Sequence, residues 1–159
     1  MKIPISVPID RCWHPISVGT KRHVNAFYNQ RCDCYGAEEI DGWGAHINGA
    51  IAEAEVAHHL GVPWNASVGR PGAPDIVPGV EVRSTTLRDG CLILHPPDVD
   101  SSRFILVVGE LPNLHIVGWQ RKADIVDLNR YRVVRGWNQQ RTAFFVPQSQ
   151  LRPMDEFEL

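Results

Sequence analysis

The chain has 159 residues, 43% of them apolar and 21% charged, with a net charge of −2. This is the composition of a soluble globular protein, and it excludes disordered, collagen-like and coiled-coil readings. The length predicts one domain, 1–159, large enough for a real core. No apolar run approaches the roughly 18 residues of a membrane span. Pro4, Pro8 and Asp10 interrupt any signal-peptide apolar region, so a cytoplasmic protein with no membrane partner is expected.

Thirteen of the sixteen cations are Arg, the residue suited to forked recognition of phosphates. Six of the cations, Arg121, Lys122, Arg130, Arg132, Arg135 and Arg141, lie in one stretch with only two acids, Asp124 and Asp127. That stretch fits either a phosphate-bearing partner or a solvated Arg-rich surface. The four cysteines do not make a disulfide framework in a cytosolic chain of this size. Cys12, His14, Cys32 and Cys34 supply four conceivable zinc ligands, but their spacing departs from the usual paired signature. Buried thiols are the simpler reading.

Residues 1–40 are rich in turn formers and are expected as an irregular extension packed on a 41–146 core, with a short helix over Thr20–Gln30. The strongest helix signal is Ala45 to Leu60, Ala-rich and stopped by Gly61 before Pro63. After a breaker-dense loop, Asp75–Val77 and Val80–Ser84 read as two short strands around a tight turn. Strands are expected at Cys91–His95, Arg103–Glu110 and Leu114–Trp119, with a short helix or turn near Ala123–Leu128. Residues 131–146 look extended, and a weak helix starts near Gln148. The order predicts an α/β fold, a mixed sheet with helices packed on it.

At 100° per residue, Glu53 falls within the apolar sector of the 45–60 helix, while Glu55 falls on its polar side. A carboxylate facing a core needs a cation or donors. A salt bridge at the helix edge would satisfy it, and His46 projects in nearly the same direction. In the strand at 80–84, Val80 and Val82 face inward, and Glu81 and Arg83 share the opposite face. Asp75 lies just upstream. It joins that face only if the turn has an odd number of residues or a bulge; a two-residue Pro78-Gly79 loop would turn it away. Converging carboxylates repel and raise one another's pKa. A hard divalent cation, magnesium or manganese, is the natural remedy.

Pro74-Asp75 followed by Glu81-Val82-Arg83, with Glu53 on an upstream helix, resembles the PD-(D/E)XK nuclease superfamily, in particular its small phage-type members. The likeness spans roughly residues 45–120, and its diagnostic part is about a dozen positions. It implies a restriction-endonuclease-like mixed sheet flanked by helices. It also implies a magnesium-dependent nuclease hydrolysing phosphodiester bonds in DNA, often as a homodimer. Asp75, Glu81 and the Val82 carbonyl are then metal ligands, with Glu53 binding directly or through water. Arg83 stands where the family usually has Lys; it can offset charge on a phosphate but cannot act as a base. His46 is a possible accessory group, and the six cations of 121–141 are the expected grip on the DNA backbone. Two alternatives come from other classes: a non-catalytic nucleic-acid-binding module on a nuclease fold, and a zinc-stabilised interaction protein.

Overall fold

The computed structural model describes residues 2–29, 42–70, 73–76, 78–135 and 141–159. The elements in chain order are β1 (Ile3–Ser6), α1 (Ile9–Tyr28), α2 (Gly42–Leu60), β2 (Val80–Thr85) and β3 (Leu92–Leu94), then β4 (Arg103–Glu110), β5 (Asn113–Arg121), β6 (Arg132–Arg135) and β7 (Arg141–Val146). Short 3-10 turns follow β5 at Lys122–Asp124 and Leu128–Tyr131, and follow β7 at Gln148–Gln150 and Met154–Glu156.

Four strands form a mixed sheet in the order β1-β5-β4-β2, with β2 parallel to β4 and the other pairs antiparallel. A smaller antiparallel sheet has the order β3-β7-β6. β4 sits between two cores and is apolar on both faces. Ile105 and Val107 join Ile51, Val56, Val80 and Val82 against the helices; Phe104, Leu106 and Val108 join Leu92, Leu94, Phe144 and Val146 against the second sheet. Burial on both sides explains why β4 reads as an unbroken apolar run rather than an alternation. The α/β class and the mixed strand directions match expectation.

Within the expected irregular extension of 1–40, residues 3–28 are regular. Residues 30–41 lie outside the described set, but residues 3–28 form an edge strand and a 20-residue helix. Pro8 precedes the helix with extended backbone, and Asp10 in the first turn complements the helix dipole. Pro15 and Gly19, both helix-weakening in isolation, lie on the buried stripe with Cys12 and Val18. A Cβ on Gly19 would come within 2.6 Å of the Ile47 Cα, so the missing side chain is what lets α1 and α2 cross closely. Tertiary packing has overridden local propensity.

α2 ends as its sequence indicates. Gly61 adopts φ +69; its N–H donates to the His58 carbonyl, and the Val62 N–H donates to the Ala57 carbonyl, together closing a Schellman cap. Glu55, placed on the polar side by the helical projection, is instead buried, because α1 covers that face and Arg11 approaches its carboxylate at 3.0 Å. Burial raises the Glu55 pKa, with Arg11 and His58 opposing the shift. None of the helices described is long and apolar enough to cross a membrane.

Candidate active site

The turn before β2 has the odd length that the carboxylate argument requires. Ile76 and Val80 exchange both backbone hydrogen bonds at 3.0 Å, so three residues, 77–79, separate them. Gly79 takes φ +63, a left-handed conformation that glycine adopts at no steric cost. Counting back from this pair sets Asp75 opposite Glu81, on the same face. The Asp75 carboxylate accepts a 2.8 Å hydrogen bond from the Val82 N–H, which anchors it along the edge of β2. As predicted, Val80 and Val82 are buried while Glu81 and Arg83 are half-buried on the other face.

Glu53 reaches the same edge from α2, and its partner is one the sequence did not suggest. Arg22 of α1 clasps it through two hydrogen bonds of 2.6 and 2.8 Å, and the Trp64 indole N–H adds a third at 3.0 Å. The Arg22 Nε–H donates to the Ser67 carbonyl at 2.8 Å. Burial works against the guanidinium charge, but Glu53 and Asp75 outweigh it and hold the Arg22 pKa above its ordinary value. His46 does not supply this pairing; it packs edge-on to His23 of α1, with ring centroids 5.4 Å apart. Glu53 therefore makes the salt bridge that its position on the apolar sector demanded.

The three carboxylates act on one another electrostatically. Burial is the largest cause of a rise in the Asp75 pKa to about 7, and the charge of Glu53 adds to it; the Val82 hydrogen bond pulls the other way. Glu81 is likewise raised, first by burial and then by Asp98 and Glu53, with Arg83 opposing. Asp98 is a fourth acid, one that no sequence pattern singles out. It lies in the loop after β3, accepts the His95 N–H at 2.7 Å, and pairs with Arg83 at 3.2 Å. Burial also lowers the His95 pKa.

Arg83 is held on several sides. It pairs with Asp98, makes a long 3.5 Å contact to Glu81, and lies over the Phe104 ring at 5.3 Å. Among the described residues, no three His, Cys, Asp or Glu side chains are grouped as a ready metal cage. Two half-buried acids with raised pKa values, Asp75 and Glu81, thus face each other across the turn, while Glu53 is already paired with Arg22.

The basic stretch divides. Arg121, Arg130 and Arg132 are exposed, with Arg121 lying over the Trp119 ring at 5.8 Å. Lys122 does not extend into solvent as a DNA grip. Its ammonium donates to the carbonyls of Pro96 (2.8 Å) and Asp98 (2.9 Å) and pairs with Asp100 at 3.1 Å, stapling the loop that carries Asp98. The side chains of Arg135 and Arg141 lie outside the described residues. So do Cys32 and Cys34 of the zinc reading; Cys12 is buried with its thiol toward the Pro8 carbonyl, and His14 packs against Trp64.

No protein-family model, curated protein or solved structure matches this chain. A functional reading therefore stands on the geometry and chemistry of the site.

Proposed function

We propose that the chain is a metal-dependent nuclease hydrolysing phosphodiester bonds in DNA, built on a restriction-endonuclease-like core of the PD-(D/E)XK type. The observation that carries this reading is the three-residue turn, which brings Asp75 opposite Glu81 along the outer strand β2, with Arg83 beside them. The donor set fits a hard divalent cation. Two carboxylates held above their ordinary pKa by burial and neighbouring acids bind a proton or a metal in preference to standing charged side by side.

Asp75, Glu81 and the Val82 carbonyl would hold magnesium or manganese. Such an ion supplies a water of lowered pKa and polarises the phosphoryl oxygen. Glu53, satisfied by Arg22 and Trp64, acts from outside the ligand set, keeping negative potential beside Asp75. Arg83 offsets the charge that grows on the phosphoryl oxygens during attack. Because a guanidinium does not give up its proton, Arg83 would serve electrostatics alone. The exposed Arg121, Arg130 and Arg132 attract the strand, so affinity falls with salt.

The test is a pair of variants. Asp75→Ala and Glu81→Ala each abolish magnesium-dependent cleavage while leaving DNA binding largely intact; cleavage retained in both overturns the reading. The pairing of Arg83 with Asp98 favours one alternative, a non-catalytic binding module, since it occupies the cation that the chemistry needs. DNA bound but uncut in both magnesium and manganese decides for the module.

A further inference from the structure

A second cluster lies at the far end of the four-stranded sheet. Lys2, just before β1, Arg88, in the turn after β2, and His115 on β5 line one cavity of about 440 Å³, walled by Val108. Lys2 is fixed there by a 3.3 Å hydrogen bond to the Arg88 carbonyl, and Gln148 holds that carbonyl as well, at 3.0 Å. Among the described residues none of the three is paired with a carboxylate, although the protein as a whole is net acidic. Two cations from separate segments, set beside an imidazole around one concavity, repel each other unless an anion joins them.

Strand register relates this cavity to the candidate active site. Glu81 lies opposite Phe104, Thr85 opposite Val108, and Val108 opposite His115. Cross-strand partners share a face, so His115 and Glu81 point to the same side of the sheet. Four residues along the strands and two strands across separate them, about 16 Å at ordinary β spacings. The second sheet packs on this face between the two, so a strand that reaches both sites passes around it.

We infer that Lys2, Arg88 and His115 form a phosphate-binding pocket that anchors a nucleic-acid strand away from the scissile bond. The pocket stands apart from the metal site; only the naming of its ligand as a substrate strand rests on the nuclease reading. Two ammonium- or guanidinium-type cations flanking an imidazole match a phosphate group by charge and by donor count. The same chemistry accepts a free phosphate, so both sources are tested.

Binding is measured on the full chain in EDTA, where no cleavage can occur. Inorganic phosphate and a short DNA duplex are titrated separately while the His115 ring resonances are followed by NMR, and duplex affinity is measured by anisotropy across a salt series. Both probes are expected to shift His115. Lys2→Gln combined with Arg88→Gln should abolish both shifts, weaken duplex binding by about tenfold, and cut the salt slope by about 0.9 for each phosphate no longer neutralised. Unchanged affinity and slope in that variant, or a His115 response that persists in it, overturns the proposal. A response to inorganic phosphate alone overturns the strand assignment. Loss of duplex affinity in a protein that never cuts DNA supports the pocket and refutes only the nuclease reading.

Discussion

Replacing Asp75 with Asn should make the metal-free protein more stable at alkaline pH while abolishing the proposed cleavage. The Asp75 carboxyl has a pKa of about 7 in the fold, against 3.8 ordinarily, because of burial and the charge of Glu53. The folded state therefore holds a proton that the unfolded chain has lost between those two values. By linkage, stability is fully present below the lower value, falls as pH rises through this window, and levels off above the upper one. At 1.36 kcal/mol per unit, the whole penalty is on the order of 4 kcal/mol, an upper figure because Glu53 and Glu81 share it. Asn carries no charge yet keeps an oxygen to accept the Val82 N–H, so its advantage should grow by about 2 kcal/mol between about pH 5 and about pH 8. In a chain of this size that is a rise in Tm of roughly 4–8 °C relative to wild type. Thermal melts of both proteins in EDTA across that range make the comparison. An Asp75→Asn protein that melts below wild type by the same margin at every pH would refute the reasoning.

Removing Arg22 should do the opposite. Arg22→Met leaves Glu53 buried without its cation and should cost about 3–5 kcal/mol in urea denaturation, less at acid pH where carboxylates take up protons. Gly19→Val should force α1 from α2, since its Cβ overlaps the Ile47 backbone; a loss of several degrees in Tm, measured by circular dichroism, is expected. Lys122→Met should loosen the 96–100 loop and lower stability by about 1–3 kcal/mol. Because Lys122 is spent on carbonyls and Asp100, its loss should leave the salt slope of DNA binding unchanged; a slope reduced by about 0.9 would return it to the backbone grip.

What is legible in the sequence is what local physics controls. α2 announces itself through alanine content and its Gly61-Val62-Pro63 stop, and β2 through a two-residue alternation that puts Glu81 and Arg83 on one face. β4 and β5 are readable because each is long, apolar and bounded by turn formers. α1 is hidden because Pro15 and Gly19, which break helices locally, are used there for close packing against α2. The other differences on this side of the molecule follow from α1. Without it there is no Arg11 to bury Glu55 against, and no Arg22, thirty-one residues away from Glu53, to satisfy it. Lys122 and Asp98 are obscure for a related reason: their partners come from loops, whose paths carry no periodicity. Nothing in the run Lys21-Arg22-His23 says which of the three turns toward Glu53.

The balance of charge at the site links these observations. Four carboxylates, Glu53, Asp75, Glu81 and Asp98, surround two guanidiniums, Arg22 and Arg83, leaving two negative charges uncompensated when all are ionised. In the metal-free state burial first, and then this excess of negative charge, raises the Asp75 and Glu81 pKa values and favours protonation. A divalent cation would relieve it completely and expel the proton, so its binding should strengthen with pH up to about 7 and plateau above. Arg22 is committed to Glu53, which leaves Asp75 and Glu81 on the edge of β2 without a full complement of positive charge. Arg83 is then free of the need to neutralise Glu53 and answers to Asp98 and to whatever negative group enters the edge of β2. A phosphate approaching there competes with Asp98 for one guanidinium, and Asp98→Asn should tighten DNA binding if that competition is real. An unchanged affinity in this variant, measured alongside wild type at one salt concentration, would mean that Arg83 does not meet the strand.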